Sequence, residues 1–368
     1  MPIRSQWPIV REASGQWVIL GEAVFQNMGI ETIKIDAISL RVYNANGDVL
    51  ADKIYAHKDF RKMLLIQAIN QDGNYTQKPA GARILDSGDG GFGFVATRVN
   101  SPLTPVRARV TLQFQHGDSV AADIPLYEYD PGQQTIWPLK FTGGDWIAYN
   151  TIGDYYHWKA IFAPAAGEYF ISQRFAIDAL QFDQQGNTSE PANSRNKEDY
   201  YAWGEDILSS GPGVVVAVER NIPDQEIGVQ DSVNPLGNFV VIQHALNLYS
   251  FYAHMMQDSA IVNAGDHVVA GQMIGRVGNS GQTDQPHLHF QYVDAWKESP
   301  APLVSSFWES QGLPALFWNA KINRLSTEKL RRLLDRLPAR WDPQVNLKGG
   351  IFMLNGSMLF TMDIVTTP

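Results

Sequence analysis

Residues Gly237–Val293 read GNFVVIQHALNLYSFYAHMMQDSAIVNAGDHVVAGQMIGRVGNSGQTDQPHLHFQYV, and the fold turns on this stretch. Its apolar runs (NFVVIQHA, YSFYAHM, HVVAGQMIGRVG, PHLHFQYV) are short, rich in β-branched and aromatic residues, and broken by glycines. Runs of that length and content read as buried strands in a tightly turned all-β domain. His287-Leu288-His289 is its sharpest feature. In a strand, positions i and i+2 point to one face, so these imidazoles can share a site, one as metal ligand and one as proton-transfer group. An isolated His-x-His is more simply two histidines on a wet face. Here the neighbouring strands add His254 (FYAHM) and His244 (VVIQHA), and histidines in strand after strand are costly to bury without partners.

On the N-terminal side, the segment from Trp17 to Tyr129 is also strand-like, with WVILGEAVFQN, IKIDAISLRVYN, ARVTLQF and SVAADIPLYEY in partial alternation. Turn signals at Asn46-Gly47-Asp48, Asp86–Gly91 and His116-Gly117-Asp118 separate them, and no long helix intervenes, which predicts a β-sandwich. Gln181–Asp199 is polar and predicts a mobile surface loop. On the C-terminal side, LSTEKLRRLLDRL places Leu330, Leu333, Leu334 and Leu337 at helical spacing, with Ser326 as N-cap and Pro338 near the stop. Asn355-Gly356 between two apolar runs predicts a two-residue hairpin. The expected fold class is mostly β, in three domains: an N-terminal β-sandwich (1–135), the glycine-rich β domain (136–298) and a helix-plus-hairpin appendage (299–368).

Composition removes whole classes of chemistry. The 368-residue chain has no cysteine, so disulfides, thiolate metal sites and cysteine nucleophiles are excluded. Any metal must be held by His, Asp or Glu. A net charge of −9 argues against a general nucleic-acid partner, which needs clustered Lys and Arg. No stretch approaches the ~18–20 apolar residues of a membrane span. The N-terminus carries Arg4 and Arg11 without an apolar signal-peptide core, which fits either an unexported protein or a mature form whose leader was replaced. His57, His116 and His267 stand in turn-like or mixed contexts and read as surface residues. Gly88–Gly93 has no helix after it and is no phosphate cradle, and nucleotide-loop, serine-elbow and zinc-helix motifs do not occur.

The ordered combination Tyr252-Ala253-His254, then Gly265, Gly271-Gln272, Ile274-Gly275, Gly278 and Gly281, then Pro286-His287-Leu288-His289-Phe290 resembles the catalytic domain of lysostaphin/LytM-type zinc metallopeptidases. The resemblance covers roughly residues 175–293. It implies a lysostaphin/LytM-like β domain, a zinc ion, and hydrolysis of peptide bonds in bacterial cell-wall peptidoglycan. It also implies a cell-envelope or secreted location. Carried over by motif, His289 and Asp178 are metal ligands, and His287 and His254 flank the activated water as general base and transition-state stabiliser. His244 becomes a supporting or structural histidine. Tyr252 could donate to an oxyanion, although a packed strand tyrosine is the commoner outcome.

One position departs from that pattern. Four residues before Asp178 the family expects a histidine ligand, and this chain has Arg174, a permanently charged guanidinium that does not ligate zinc. Alignment on Asp206 instead places Ala202 there. Three explanations stand. His157 folds back as substitute ligand; or two protein ligands suffice; or the domain is a degenerate module that binds wall or regulates another hydrolase. An Arg174–Asp178 ion pair would compete with the metal. The basic helix EKLRRLLDR reads as tail packing or as the docking site of a regulatory partner, and the ten tryptophans leave a weaker carbohydrate-binding reading.

Overall fold

The structure is a computed structural model. It describes residues 7–11, 15–69, 75–130, 132, 134–140, 145–150, 157, 160–161, 169–183, 187–296, 307–324, 350–357 and 363–366. The chain divides into two compact units, 1–130 and 131–368.

The first unit is a sheet of ten strands: β1 (Trp7–Arg11), β2 (Trp17–Gln26), β3 (Ile33–Tyr43), β4 (Val49–Ala56), β5 (Leu64–Ile69), β6 (Tyr75–Gln77), β7 (Ile84–Leu85), β8 (Gly90–Val99), β9 (Arg107–Phe114) and β10 (Ser119–Glu128). They pair in the order β4-β3-β9-β10-β1-β2-β8-β5-β6, with β7 on β3. The path folds over itself: Tyr55 on β4 is buried and its hydroxyl donates to the Ala96 carbonyl on β8 at 2.9 Å. Ile19, Ile35, Ile38, Leu40, Phe94 and Val95, all with no exposure, fill the space between. A short helix, α1 (His57–Met63), follows β4 and buries Phe60.

The second unit contains β11 (Thr135–Ile136), β12 (Asp145–Tyr149), β13 (Ile177–Phe182), β14 (Asp206–Leu208), β15 (Gly213–Glu219), β16 (Asn238–Ala245), β17 (Leu248–Met255), β18 (His267–Val268), β19 (Met273–Arg276) and β20 (Leu288–Val293). Then come β21 (Gly312–Leu313), β22 (Phe317–Arg324), β23 (Gly350–Ser357) and β24 (Asp363–Thr366). Its main sheet runs β11-β22-β24-β12-β13-β20-β17-β16-β15-β18, with β21 on β20 and β23 on β22, while β14 and β19 form a separate pair.

Both faces of this sheet are covered, which is why its strands read as near-continuous apolar runs. Phe239, Val241, Phe251, Ala253 and Val293 pack with Phe307 on one face. On the other, Phe290 packs against Tyr252, Tyr292 and Phe317, with ring centroids 5.3–5.9 Å away. Fully burying each such aromatic contributes ~1.5–3 kcal/mol.

Several local expectations are corrected. Asn355-Gly356 is not a hairpin turn; both residues lie inside β23, with Asn355 in register with Trp318. The turn preference of the dipeptide yields there to ladder pairing with the long strand β22. The C-terminal strands β22 and β24 are continuous with the main sheet, where β24 pairs directly with β12. The helix expected over residues 326–337 lies outside the described residues. Gln181 and Phe182 complete β13, and residues 187–199 are tied by side-chain bonds, among them Asn187 N–H to Asp183 Oδ1 at 2.8 Å and Ser194 Oγ to Asp199 Oδ2 at 2.6 Å. At its described positions this polar stretch forms a hydrogen-bonded turn network.

Candidate metal centre and active site

Strand pairing lines up the site. Tyr149 on β12 is in register with Asp178 on β13, Asp178 with His289 on β20, and His289 with Ala253 on β17. Cross-strand partners share a face, so a row of four strands presents Asp178 and His289 side by side. Alternation along β20 sends His289 and Gln291 to this face and Leu288, Phe290 and Tyr292 to the other. His287 joins them from just before the strand.

Strict alternation would send His254 to the face opposite Ala253. The chain breaks it: His254 has a left-handed backbone, φ 58°. Non-glycine residues in that region are uncommon and concentrate where a side chain must be re-aimed. Here the His254 ring sits 4.8 Å from that of His287 and 5.7 Å from that of His289. Its Nδ1 lies 2.9 Å from the Ser280 carbonyl, which only accepts, so Nδ1 carries the proton and Nε2 is left as an acceptor. Ser280 is held by a close backbone crossing: a Cβ on Gly281 (φ +89°) would stand 2.4 Å from the Gly237 nitrogen.

His157, Asp178 and His289 converge. One ligand atom from each lies within 4.8 Å of the others, and all three side chains are buried. Asp178 Oδ1 is 2.9 Å from His289 Nδ1 and 3.5 Å from His287 Nε2; Oδ2 is 3.3 Å from His157 Nε2 and accepts from Asn150 Nδ2 at 2.7 Å. His287 Nδ1 is 2.8 Å from the Gln285 carbonyl and 3.1 Å from Thr283 Oγ1. The cleft above these groups encloses about 440 Å³, and Tyr149, Gln173, Gln230, Asp284 and Trp308 form part of its walls.

The electrostatics follow from burial and from Asp178. Burial would raise the Asp178 carboxyl, but the imidazoles of His157 and His287 reverse this and hold it well below the usual carboxylate range. Burial, reinforced by the neighbouring His287 and His289, pushes His254 well below the ordinary imidazole value. Burial also lowers His289, despite Asp178. His287 is the exception: burial opposes its charge, yet Asp178 and the Gln285 carbonyl raise it. A buried carboxylate with three imidazoles within 3.5 Å is a ready cation site. Two neutral-capable imidazole nitrogens and one carboxylate oxygen are a donor set that suits zinc and leaves a position open, so the residues present fit the metal.

Each residue singled out in the sequence can now be placed. His157, Asp178, His254, His287 and His289 meet in one cleft. Arg174 does not enter it. The guanidinium is buried, and its Nη2 lies 3.4 Å from Gln311 Oε1. Among the described residues the ion-pair partners of Asp178 are histidines, and no Arg174–Asp178 pair forms. His244 belongs to the opposite face, with Nδ1 2.7 Å from the Pro212 carbonyl and Nε2 2.7 Å from Ser250 Oγ. Tyr252 is wholly buried there and bonds Ser210 and Ser250, which excludes it from the cleft. Asp206 pairs with Lys140 and Arg276.

Sequence reasoning missed Asn150 and Gln291. For Gln291 a signal existed, since it continues the i, i+2 spacing of His287 and His289. Asn150 sits 28 residues from Asp178, and only strand pairing brings the two together.

Comparison with known proteins agrees with part of this assembly. Residues 199–300 match the family model described as Peptidase family M23. That span contains His254, His287 and His289; His157 and Asp178 precede it. The chain is 37% identical over 90 residues to the peptidoglycan DD-endopeptidase ShyA of Vibrio cholerae, covering 24% of this chain and 18% of that protein. It is 42% identical over 55 residues to the DD-carboxypeptidase/endopeptidase Mpg of Neisseria meningitidis serogroup B, covering 15% and 12%. A solved catalytic domain of the antimicrobial peptidase lysostaphin from Staphylococcus simulans is similar at 26% identity and a TM-score of 0.17, over 29% of this chain and 81% of that one. The chain spans less than a fifth of the length of ShyA and Mpg. Residues 199–300 of this mostly β chain are therefore similar to Peptidase family M23.

Proposed function

We propose that the second unit is a zinc-dependent metallopeptidase that hydrolyses peptide bonds of bacterial cell-wall peptidoglycan, and that it works in the cell envelope or outside the cell. The observation that carries this reading is the buried His157–Asp178–His289 donor set with two further imidazoles, His254 and His287, beside it. The relative named as a peptidoglycan DD-endopeptidase, ShyA, supports the substrate class.

His157, Asp178 and His289 would hold the metal, with His157 supplying the nitrogen that Arg174 cannot. When bound, zinc supplies a Lewis acid that polarises a carbonyl and acidifies water. His254, whose Nδ1–H is committed to Ser280, offers Nε2 to accept a proton. His287, held near Asp178, keeps a proton available for the leaving amine or the developing oxyanion. Asn150 holds the second oxygen of Asp178 and thereby its orientation.

The test is digestion of purified peptidoglycan, with the released fragments separated chromatographically. Zinc-loaded protein should release peptide-cleaved fragments, while His287→Ala and chelated wild type should not. Release by the His287→Ala variant at the full rate would refute the proposed roles.

A further inference from the structure

Gln291 is a buried amide with no exposure, placed two residues beyond His289 on the same face of β20. Its Nε2 donates to the Ser172 carbonyl at 3.1 Å. That carbonyl can only accept, which fixes the amide orientation: a flipped amide would set two oxygens against each other in a fully buried place. The remaining oxygen, Oε1, faces His289 Nε2 at 2.9 Å. An amide oxygen requires a donor, so this contact calls for a proton on His289 Nε2. Nδ1 of the same ring then turns its lone pair toward Asp178 Oδ1, 2.9 Å away. Two acceptors at that distance call for a cation between or beside them.

We propose that Gln291, locked by the Ser172 carbonyl, is a positioning residue for the metal: it accepts the Nε2–H of His289 and so presents Nδ1 as the metal-binding nitrogen. This rests on the zinc reading of the site and specifies which tautomer serves it and which residue enforces it. Ring orientation follows from the same bond, since an imidazole anchored at Nε2 cannot rotate Nδ1 away from Asp178. An acceptor on the distal nitrogen also makes the ligating one more basic, and loss of such a partner typically weakens metal binding by ~10–100-fold.

The experiment compares wild type with Gln291→Met, which keeps the side-chain length without the acceptor. Zinc affinity is measured by competition with a chromophoric chelator, and the zinc-loaded proteins are examined by proton NMR for an imidazole N–H protected from solvent exchange. Chelated samples are melted to compare folding. The expected result is ~10–100-fold weaker zinc binding by Gln291→Met, loss of the protected imidazole N–H, and a chelated melting temperature close to wild type. Should Gln291→Met fail to fold, the protected N–H in zinc-loaded wild type, assigned to Nε2 or to Nδ1 of His289, decides the matter. Assignment to Nδ1 overturns the inference. So does equal zinc affinity in wild type and Gln291→Met. Wild type that takes up no zinc overturns the proposed function as well, and is distinguished from the other outcomes by that result.

Discussion

Asp178 and His289 stand directly opposite each other on the antiparallel strands β13 and β20, with Oδ1 2.9 Å from Nδ1, although 111 residues separate them in sequence. This half of the site is therefore built into the ladder of the sheet. The consequences for individual residues differ in measurable ways.

Replacing a group that handles protons should leave the metal in place. His254→Ala and His287→Ala are expected to retain zinc while losing ~10²–10⁴-fold in kcat/KM toward a peptidoglycan peptide. Metal analysis and kinetics on the same preparations check both halves. Loss of zinc in either variant would make that histidine a ligand instead.

His157 and Arg174 make opposite predictions. His157→Ala removes a donor and should weaken zinc binding by at least about tenfold, no less than loss of an outer partner would. Arg174→Met, outside the lining of the cleft, should leave zinc affinity unchanged and lower the melting temperature, because the buried guanidinium contacts Gln311. Chelator competition and thermal melts on both variants read this out.

The backbone crossing that sets Ser280 should be intolerant of a methyl group. Gly281→Ala combines a left-handed φ of +89° with a Cβ 2.4 Å from the Gly237 nitrogen. A cost of at least ~1–3 kcal/mol is expected from the backbone strain alone, measured by denaturant unfolding.

His244 predicts a pH dependence independent of the metal. Burial lowers this imidazole below its ordinary value, with the Pro212 carbonyl opposing. The unfolded chain binds its proton near pH ~6.5, where the folded chain still resists it. The contribution to stability is thus complete above ~6.5 and is lost as pH falls through ~6.5 toward the lowered folded value. In chelated protein, the fall in melting temperature between pH 7.5 and 5.5 should be larger for wild type than for His244→Gln. Equal falls would contradict the assignment.

What the sequence disclosed depended on range. Short-period features were legible: the alternation that puts His287 and His289 on one face, and the apolar runs that became β16, β17 and β20. Features set by pairing across distance were not. Asn150 reaches Asp178 only because β12 lies beside β13, and Arg174 turns to Gln311, 137 residues away. Asn355-Gly356 misled for the same reason, since a local turn preference of a few tenths to ~1 kcal/mol is outweighed by a strand's worth of ladder bonds. His254 was placed at the site by motif, while the left-handed backbone that delivers it there has no signature in residue type.

The central claim is that His157, Asp178 and His289 hold one zinc ion. Its most direct test is the zinc content of the full chain, purified without chelator, beside that of Asp178→Asn. The account predicts one zinc per wild-type chain, little or none in Asp178→Asn, and a higher melting temperature when zinc is returned to chelated wild type. Wild type with no stoichiometric zinc and no thermal response to added zinc would contradict it.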